Sequence, residues 1–271
     1  MTTPSEALDP RVVPSQAWRL SPQTSSQEAI YLVREAPLRV TTQERLAAVM
    51  MRTPGMDVEL VVGYLVGEGW VASYDQIDAV LLQPALACGA SMDLADVRLT
   101  AEARPLAIDE RPHLVRAVAG DASRHGEWPL PAVGSEVQAA LGALAAAGDD
   151  LRVGQTLRQL AGGVHAFGLY RADGERLVVC EDIGRHNAMD KAVGWCLGRG
   201  LNDAWAFGLC SGRLSYEMVA KAARVQLPIL ASFSAPSSLG VETAERCGIT
   251  LVGYLKDGEA RVYSHAQRVQ P

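Results

Sequence analysis

No two of the five cysteines, Cys88, Cys180, Cys196, Cys210 and Cys247, stand in a C-x-x-C pair. An odd number of thiols scattered this way excludes a disulfide framework and points to a reducing, cytoplasmic setting. Long apolar runs are missing too. Nothing approaches the roughly 18 consecutive apolar residues of a membrane span, so no membrane contact is expected. The first 28 residues, rich in Pro, Ser, Thr and Gln, lack the apolar core of a signal peptide and read as a flexible tail. Lysine is scarce: only Lys191, Lys221 and Lys256 occur among 25 basic residues. The arginine bias reads as genome composition, and a net charge of −6 argues against nucleic acid as a partner. The patterns G-x-x-x-x-G-K-[ST] and G-x-G-x-x-G are absent, which removes a P-loop and a dinucleotide fingerprint. So is H-x-E with P-C-x-x-C, the zinc set of nucleobase deaminases, and no zinc or other metal is expected. His113, His125 and His165 lack ligand spacing; of these, only His165 has a glycine-rich setting that admits close approach.

What is present describes a folded protein. Of 271 residues 48% are hydrophobic and 21% charged, enough apolar surface for one large domain or two smaller ones. Residues 29–119 read as a small strand-rich unit: AIYLVRE, PLRVTT and RLAAVMMRT as strands, MDVELVVGYLVGEG as a helix closed near Gly69, then DAVLLQ, DVRLT and HLVRAVA as further strands. Residues 120–134 read as a linker. Ser135-Glu136-Val137-Gln138 predicts a capping box opening an Ala-rich helix, and a second helix should begin near Thr156. From 135 to 271 the order becomes regular. A hairpin turns at Asp173-Gly174; helices over 186–198, 215–224 and 238–247 then alternate with the strands AWAFGLC, PILASF and ITLVGYL; a last turn at Lys256-Asp257-Gly258 leads to ARVYSH. This alternation predicts an α/β fold whose sheet is at least partly parallel and covered on its faces.

Three loops leave strands and enter helices in that second unit: residues 181–187, 211–215 and 232–238. In such a sheet they gather at the carboxyl edge, where ligands bind and helix N-termini favour anions. In the first loop Arg185 can hold a phosphate, His186 can donate or accept, and Asp190 can orient the ligand; His186 and Asp190 stand four apart, as do Asn187 and Lys191. The structural alternative makes Asn187 a helix cap and pairs Asp182 with Arg185. The second loop offers Ser211, Gly212 and Arg213, the third Ser234; for both, turn and cap chemistry is the competing account. Cys210 and Cys180 adjoin these loops.

Four segments carry a family resemblance: Gly162-Gly163-Val164-His165, EDIGRHNAMDK (181–191), SGRLSYEMVAK (211–221) and SAPSSLGVETAER (234–246). With ITLVG (249–253), MRTP (51–54) and GYLVGEG (63–69), they make the chain similar to the FdhD family of formate dehydrogenase accessory sulfurtransferases. The resemblance implies a cytidine-deaminase-like α/β domain behind the smaller amino-terminal subdomain. It implies a bis-molybdopterin guanine dinucleotide cofactor as client, held in part by Tyr254, Leu255, Lys256, Asp257, Gly258 and Glu259. Formate dehydrogenase, a cysteine desulfurase and a second copy of the chain are the implied partners. The family carries sulfur as a persulfide on a C-G-x-C-G loop. Here the matching stretch is Gly120-Asp121-Ala122-Ser123-Arg124-His125-Gly126, without a thiol. A displaced carrier on Cys210 or Cys180, and a cofactor chaperone or scaffold without sulfur transfer, are therefore the competing readings.

Overall fold

The computed structural model describes residues 9–43, 45–85, 92–103 and 130–271. Strands β1 (Val12–Leu20) and β2 (Ser25–Val33) form an antiparallel hairpin; β1 and the start of β2 fall in the stretch expected to be a loose tail, while Ala29–Val33 belongs to a segment expected as a strand. Val12 anchors it by packing against Leu157 and Val164, contacts from the far half of the chain that no local reading reveals.

The amino-terminal subdomain is a four-stranded sheet of β3 (Ala36–Thr42), β4 (Arg45–Arg52), β5 (Ile77–Gln83) and β6 (Asp93–Leu99), in the order β4-β3-β6-β5. Helix α1 (Asp57–Gly67) follows β4, as the apolar spacing predicts. Its invading face carries Leu60, Val61 and Leu65, all fully buried. The segment HLVRAVA and residues 120–129 of the expected linker lie outside the described residues.

The linker's last residues already belong to the second unit, where Val133 N–H donates to Cys247 O at 2.8 Å. The expected capping box does not open a helix. Arg268 Nε holds Ser135 O at 2.9 Å, and β7 (Ala139–Ala140) pairs in parallel with β14 (Val269–Gln270). The carboxyl terminus thus keeps this stretch extended, and α2 (Leu141–Gly154) begins only afterwards, followed by α3 (Thr156–Ala161).

The remaining elements follow the expected order: β8 (His165–Tyr170), β9 (Arg176–Asp182), α4 (Arg185–Leu197), β10 (Phe207–Cys210), α5 (Tyr216–Arg224), β11 (Ile229–Ser232), α6 (Ser238–Cys247), β12 (Thr250–Lys256) and β13 (Glu259–Ser264). They build one six-stranded sheet, β13-β12-β11-β10-β8-β9, in which β10, β11 and β12 are parallel. Side chains alternate across it. Phe207 and Leu209 meet Leu144 and Leu151 of α2, while Phe167, Leu169 and Leu230 face a core shared with Met189 of α4 and Met218 of α5. That second core also takes in Leu38, Val40 and Met50 of the smaller sheet, so the two units share one apolar interior.

Helices α1 and α4 cross in backbone contact. A Cβ at Gly63 would stand 1.9 Å from Asp190 O, and one at Gly194 would stand 1.9 Å from Glu59 O. Only glycine permits this approach. The crossing seats α1 against the very helix that opens with the EDIGRHN loop.

Candidate functional site

Strand directions place the carboxyl ends of β9, β10, β11 and β12 on one sheet edge, together with the start of the antiparallel β8. His165 thus enters the site as the first residue of β8. Its Nδ1 lies 3.2 Å from Ser211 Oγ, which also accepts the Ala166 N–H at 2.9 Å. Next to them, a Cβ on Gly212 would sit 3.1 Å from the His165 ring and 3.2 Å from Arg185 Cδ. The third loop joins through Ser232, whose Oγ donates to Gly212 O at 2.6 Å and accepts Ser234 N–H at 2.9 Å. Ser211, Gly212 and Ser234 are therefore drawn together by loop-to-loop bonds.

The first loop divides into two sets. Asp182 is fully buried and accepts from Thr53 N–H, Gly184 N–H and Asn187 Nδ2 at 2.9–3.1 Å, with Lys191 Nζ at 2.7 Å. Asn187 Nδ2 also donates to Met51 O at 2.8 Å, and Lys191 Nζ to Thr53 O at 2.8 Å. Asp182 pairs with Lys191 and not with Arg185, and Gly184 occupies the cap position of α4. Asn187 is spent on the seam to the MRTP segment. Asp190 is also spent: Lys221 Nζ reaches its two oxygens at 2.9 and 3.0 Å and Glu68 Oε1 at 2.8 Å. Burial opposes the Lys221 ammonium, but Asp190 and Glu68 outweigh it and its pKa is raised. Glu68 is held below the usual carboxylate range because the Lys221 charge more than offsets its burial.

The second set faces outward from this lock. His186 Nε2 approaches Glu217 Oε2 to 3.0 Å, outside hydrogen-bond geometry. Burial pushes His186 below the ordinary imidazole value, against the pull of Glu217. Glu217, which burial alone would raise, is held low by His186. Both line a cavity of about 190 Å³ with Tyr64, Asp190 and Lys221. Five buried side-chain polar atoms lack a hydrogen-bond partner among the described residues, and four of them are Arg185 Nε, His186 Nε2, Ser215 Oγ and Glu217 Oε2. All four flank the starts of α4 and α5. His186 Nε2 and Glu217 Oε2 face each other as an ion pair, which leaves Arg185 Nε and Ser215 Oγ as buried polar atoms of a kind rarely left unpaired. Arg213 is exposed beside them.

At β12 the Asp257-Gly258 turn closes the hairpin, with both residues at positive φ (52° and 79°). Tyr254 donates its N–H to Ser234 O at 3.1 Å, linking this hairpin to the third loop. Leu255 points into the core; Lys256, Asp257, Gly258 and Glu259 are exposed. A second cavity, about 210 Å³, lies between the hairpin and α2, lined by Leu255, Lys256, Asp257, Gly258, Phe233, Asp149 and Arg152. The Arg152 guanidinium stacks on the Phe233 ring at 4.3 Å. Nothing local in the sequence singles out Arg152, which reaches the edge from the opposite face of the sheet.

The four described thiols do not fit catalysis. Cys180 and Cys210 are buried, and burial pushes their pKa values up to about 12 and about 11. Cys196 and Cys247 are buried as well. The candidate sulfur loop, 120–126, lies outside the described residues. Among the described residues, no three His, Cys, Asp or Glu side chains are grouped to hold a metal, and no helix is long and apolar enough to cross a membrane.

The class defined so far is an α/β protein with a cationic, polar carboxyl edge locked onto a smaller strand-rich unit. Residues 33–270 match the model of the FdhD/NarQ family. The chain is 38% identical to the sulfur carrier protein FdhD of Nocardia farcinica, over 93% of this chain and 92% of that one. It is 39% identical to the Streptomyces coelicolor counterpart over 88% of each, and 31% identical to that of Sulfurisphaera tokodaii over 94% and 97%. A crystal structure from Desulfotalea psychrophila, assigned as a formate dehydrogenase accessory protein, superposes with a TM-score of 0.77 at 26% identity, covering 96% of this chain and all of that one. This chain belongs to the FdhD/NarQ family.

Proposed function

We propose that this protein seats the bis-molybdopterin guanine dinucleotide cofactor on its carboxyl edge and assists maturation of a formate dehydrogenase. The observation that carries the reading is the pair of buried atoms without a hydrogen bond, Arg185 Nε and Ser215 Oγ, beside the His186–Glu217 ion pair. Arg185, Arg213, Ser211 and Gly212 suit the phosphate-bearing part of such a ligand, and the 254–259 hairpin with the Arg152–Phe233 stack suits a flat base. Asn187 and Asp190 brace the loop through Met51 and Lys221 and line the same cavity as His186 and Glu217. Guanosine diphosphate is the accessible probe. Calorimetric titration is expected to show one site per chain; no heat at millimolar nucleotide would overturn the reading.

The burial of all four described thiols, with no cysteine in 120–126, favours a second reading in which the protein is a cofactor chaperone. Incubation with a cysteine desulfurase and sulfur-labelled cysteine separates the two. Chaperone action predicts no label on the protein under non-reducing conditions, whereas persulfide carriage predicts label that a reductant removes.

A further inference from the structure

We infer that the β1–β2 hairpin is a contact surface between two copies of this chain, its uncharged face packing on the same face of the second copy.

The register of the hairpin sorts its side chains. Paired residues of antiparallel strands point to the same side, so Pro14, Trp18 and Leu20 share one face with Ala29 and Tyr31, and only glutamine and serine lie between them. Every residue of that face from Pro14 to Tyr31 is exposed, Trp18 at 66% and Leu20 at 73%. None carries a charge. The two charged residues of the strands, Arg19 and Glu28, stand on the opposite face, where Val13, Ala17 and Ile30 are half-buried. The more exposed face is thus the uncharged one, the reverse of an ordinary solvated ribbon.

The hairpin also lacks a layer. Among the described residues its sheet has two strands and no third, and a two-stranded ribbon by itself is marginally stable in water. Val12 and Val33 secure the root against Leu157 and Val164, but from Pro14 to Tyr31 no residue is buried. A second ribbon stacked on the uncharged face supplies the missing cover.

Charge selects a second copy as that cover. Each chain carries a net charge of −6, so two copies repel and can meet only where that charge is absent. About a two-fold axis the same patch meets itself, and an uncharged patch brings no like charges together. A partner recognised by its charge finds nothing on this face to pair with. The face offers four residues from each strand, well under the roughly 20–30 a side of a standard interface, so the stack forms a reversible dimer. Trp18 and Tyr31 are its rigid aromatic anchors.

Sedimentation velocity of the full chain between about 1 and about 100 µM tests this. The wild-type protein is expected to pass from monomer to dimer over that range, and at lower concentration in about 0.5 M salt, which screens the repulsion between the copies. Trp18→Glu puts like charges into the stack and should weaken the dimer at least about tenfold. Arg19→Glu makes the chain more negative still, but on the opposite face, and should leave the dimer as it is. Both positions are exposed, so the circular dichroism of the two variants should match the wild type. A chain that stays monomeric at about 100 µM would overturn the inference and leave the face to a different occupant. A dimer that Trp18→Glu leaves intact, that Arg19→Glu weakens equally, or that salt dissolves would refute it as well.

Discussion

Lys221→Met removes the cation that holds α5, α4 and α1 together. Lys221 and Asp190 are each 3% exposed and Glu68 is 19% exposed, so the methionine fills the volume but leaves two enclosed carboxylates facing each other. Breaking a buried pair on one side costs about 3–5 kcal/mol. An independent limit comes from the way out: the orphaned acid can take up a proton. Protonating a carboxyl of ordinary pKa near 3.9 at pH 7 costs about 4 kcal/mol, and at pH 5 only about 1.5 kcal/mol. The two figures agree. For a chain of this size the deficit at pH 7 corresponds to a Tm lowered by roughly 6–20 °C. Scanning calorimetry of both proteins at pH 7 and pH 5 reads it directly, and the gap between them should shrink by more than half at the lower pH. A gap under about 3 °C at pH 7, or one that persists unchanged at pH 5, would refute the picture of a buried, charge-dependent lock.

Gly63→Ala drives a methyl group into Asp190 O, so the α1–α4 crossing must open; a loss of at least about 3 kcal/mol in urea unfolding is expected, larger than ordinary overpacking at a site that can relax. Native alkylation at pH 8 should leave Cys180, Cys196, Cys210 and Cys247 unmodified by mass spectrometry, since all four are buried and their thiol pKa values are raised. The pH dependence of stability has a definite sign. His165 and His186 both sit below their ordinary value of 6.5 in the folded state, so the unfolded chain binds protons first. Stability should fall as pH drops below about 6.5, and His165→Gln should flatten part of that slope in thermal scans.

The position of the candidate site was legible in the sequence. A strand–helix alternation fixes which loops converge, and three polar loops following apolar strands mark the candidate edge. Element order from β8 to β13 was legible for the same reason, because burial on both sheet faces leaves continuous apolar strands. What local pattern did not carry was partnership. The capping box at Ser135 satisfies every local rule, yet it stays extended because β14 and Arg268, more than 100 residues away, claim its backbone. The first strand of the β1–β2 hairpin looked like a polar tail because its anchor, Val12, is buried by residues 157 and 164.

By itself, the sequence settled a folded α/β chain, its family and which loops meet at one sheet edge, since these follow from periodicity and from motifs contiguous in the chain. The tertiary structure alone decided which polar residues on that edge are committed. EDIGRHNAMD contains Asp182, Arg185, His186, Asn187 and Asp190 in one run, and nothing in their order separates them. Asp182 and Asn187 are claimed by Thr53 and Met51, and Asp190 by Lys221, which Glu68 shares. Arg185 keeps its buried Nε without a hydrogen bond, and His186 faces Glu217 at 3.0 Å. A hydrogen bond is spent or available according to what stands within 3 Å of it, and for these residues the partners come from segments that only folding brings near.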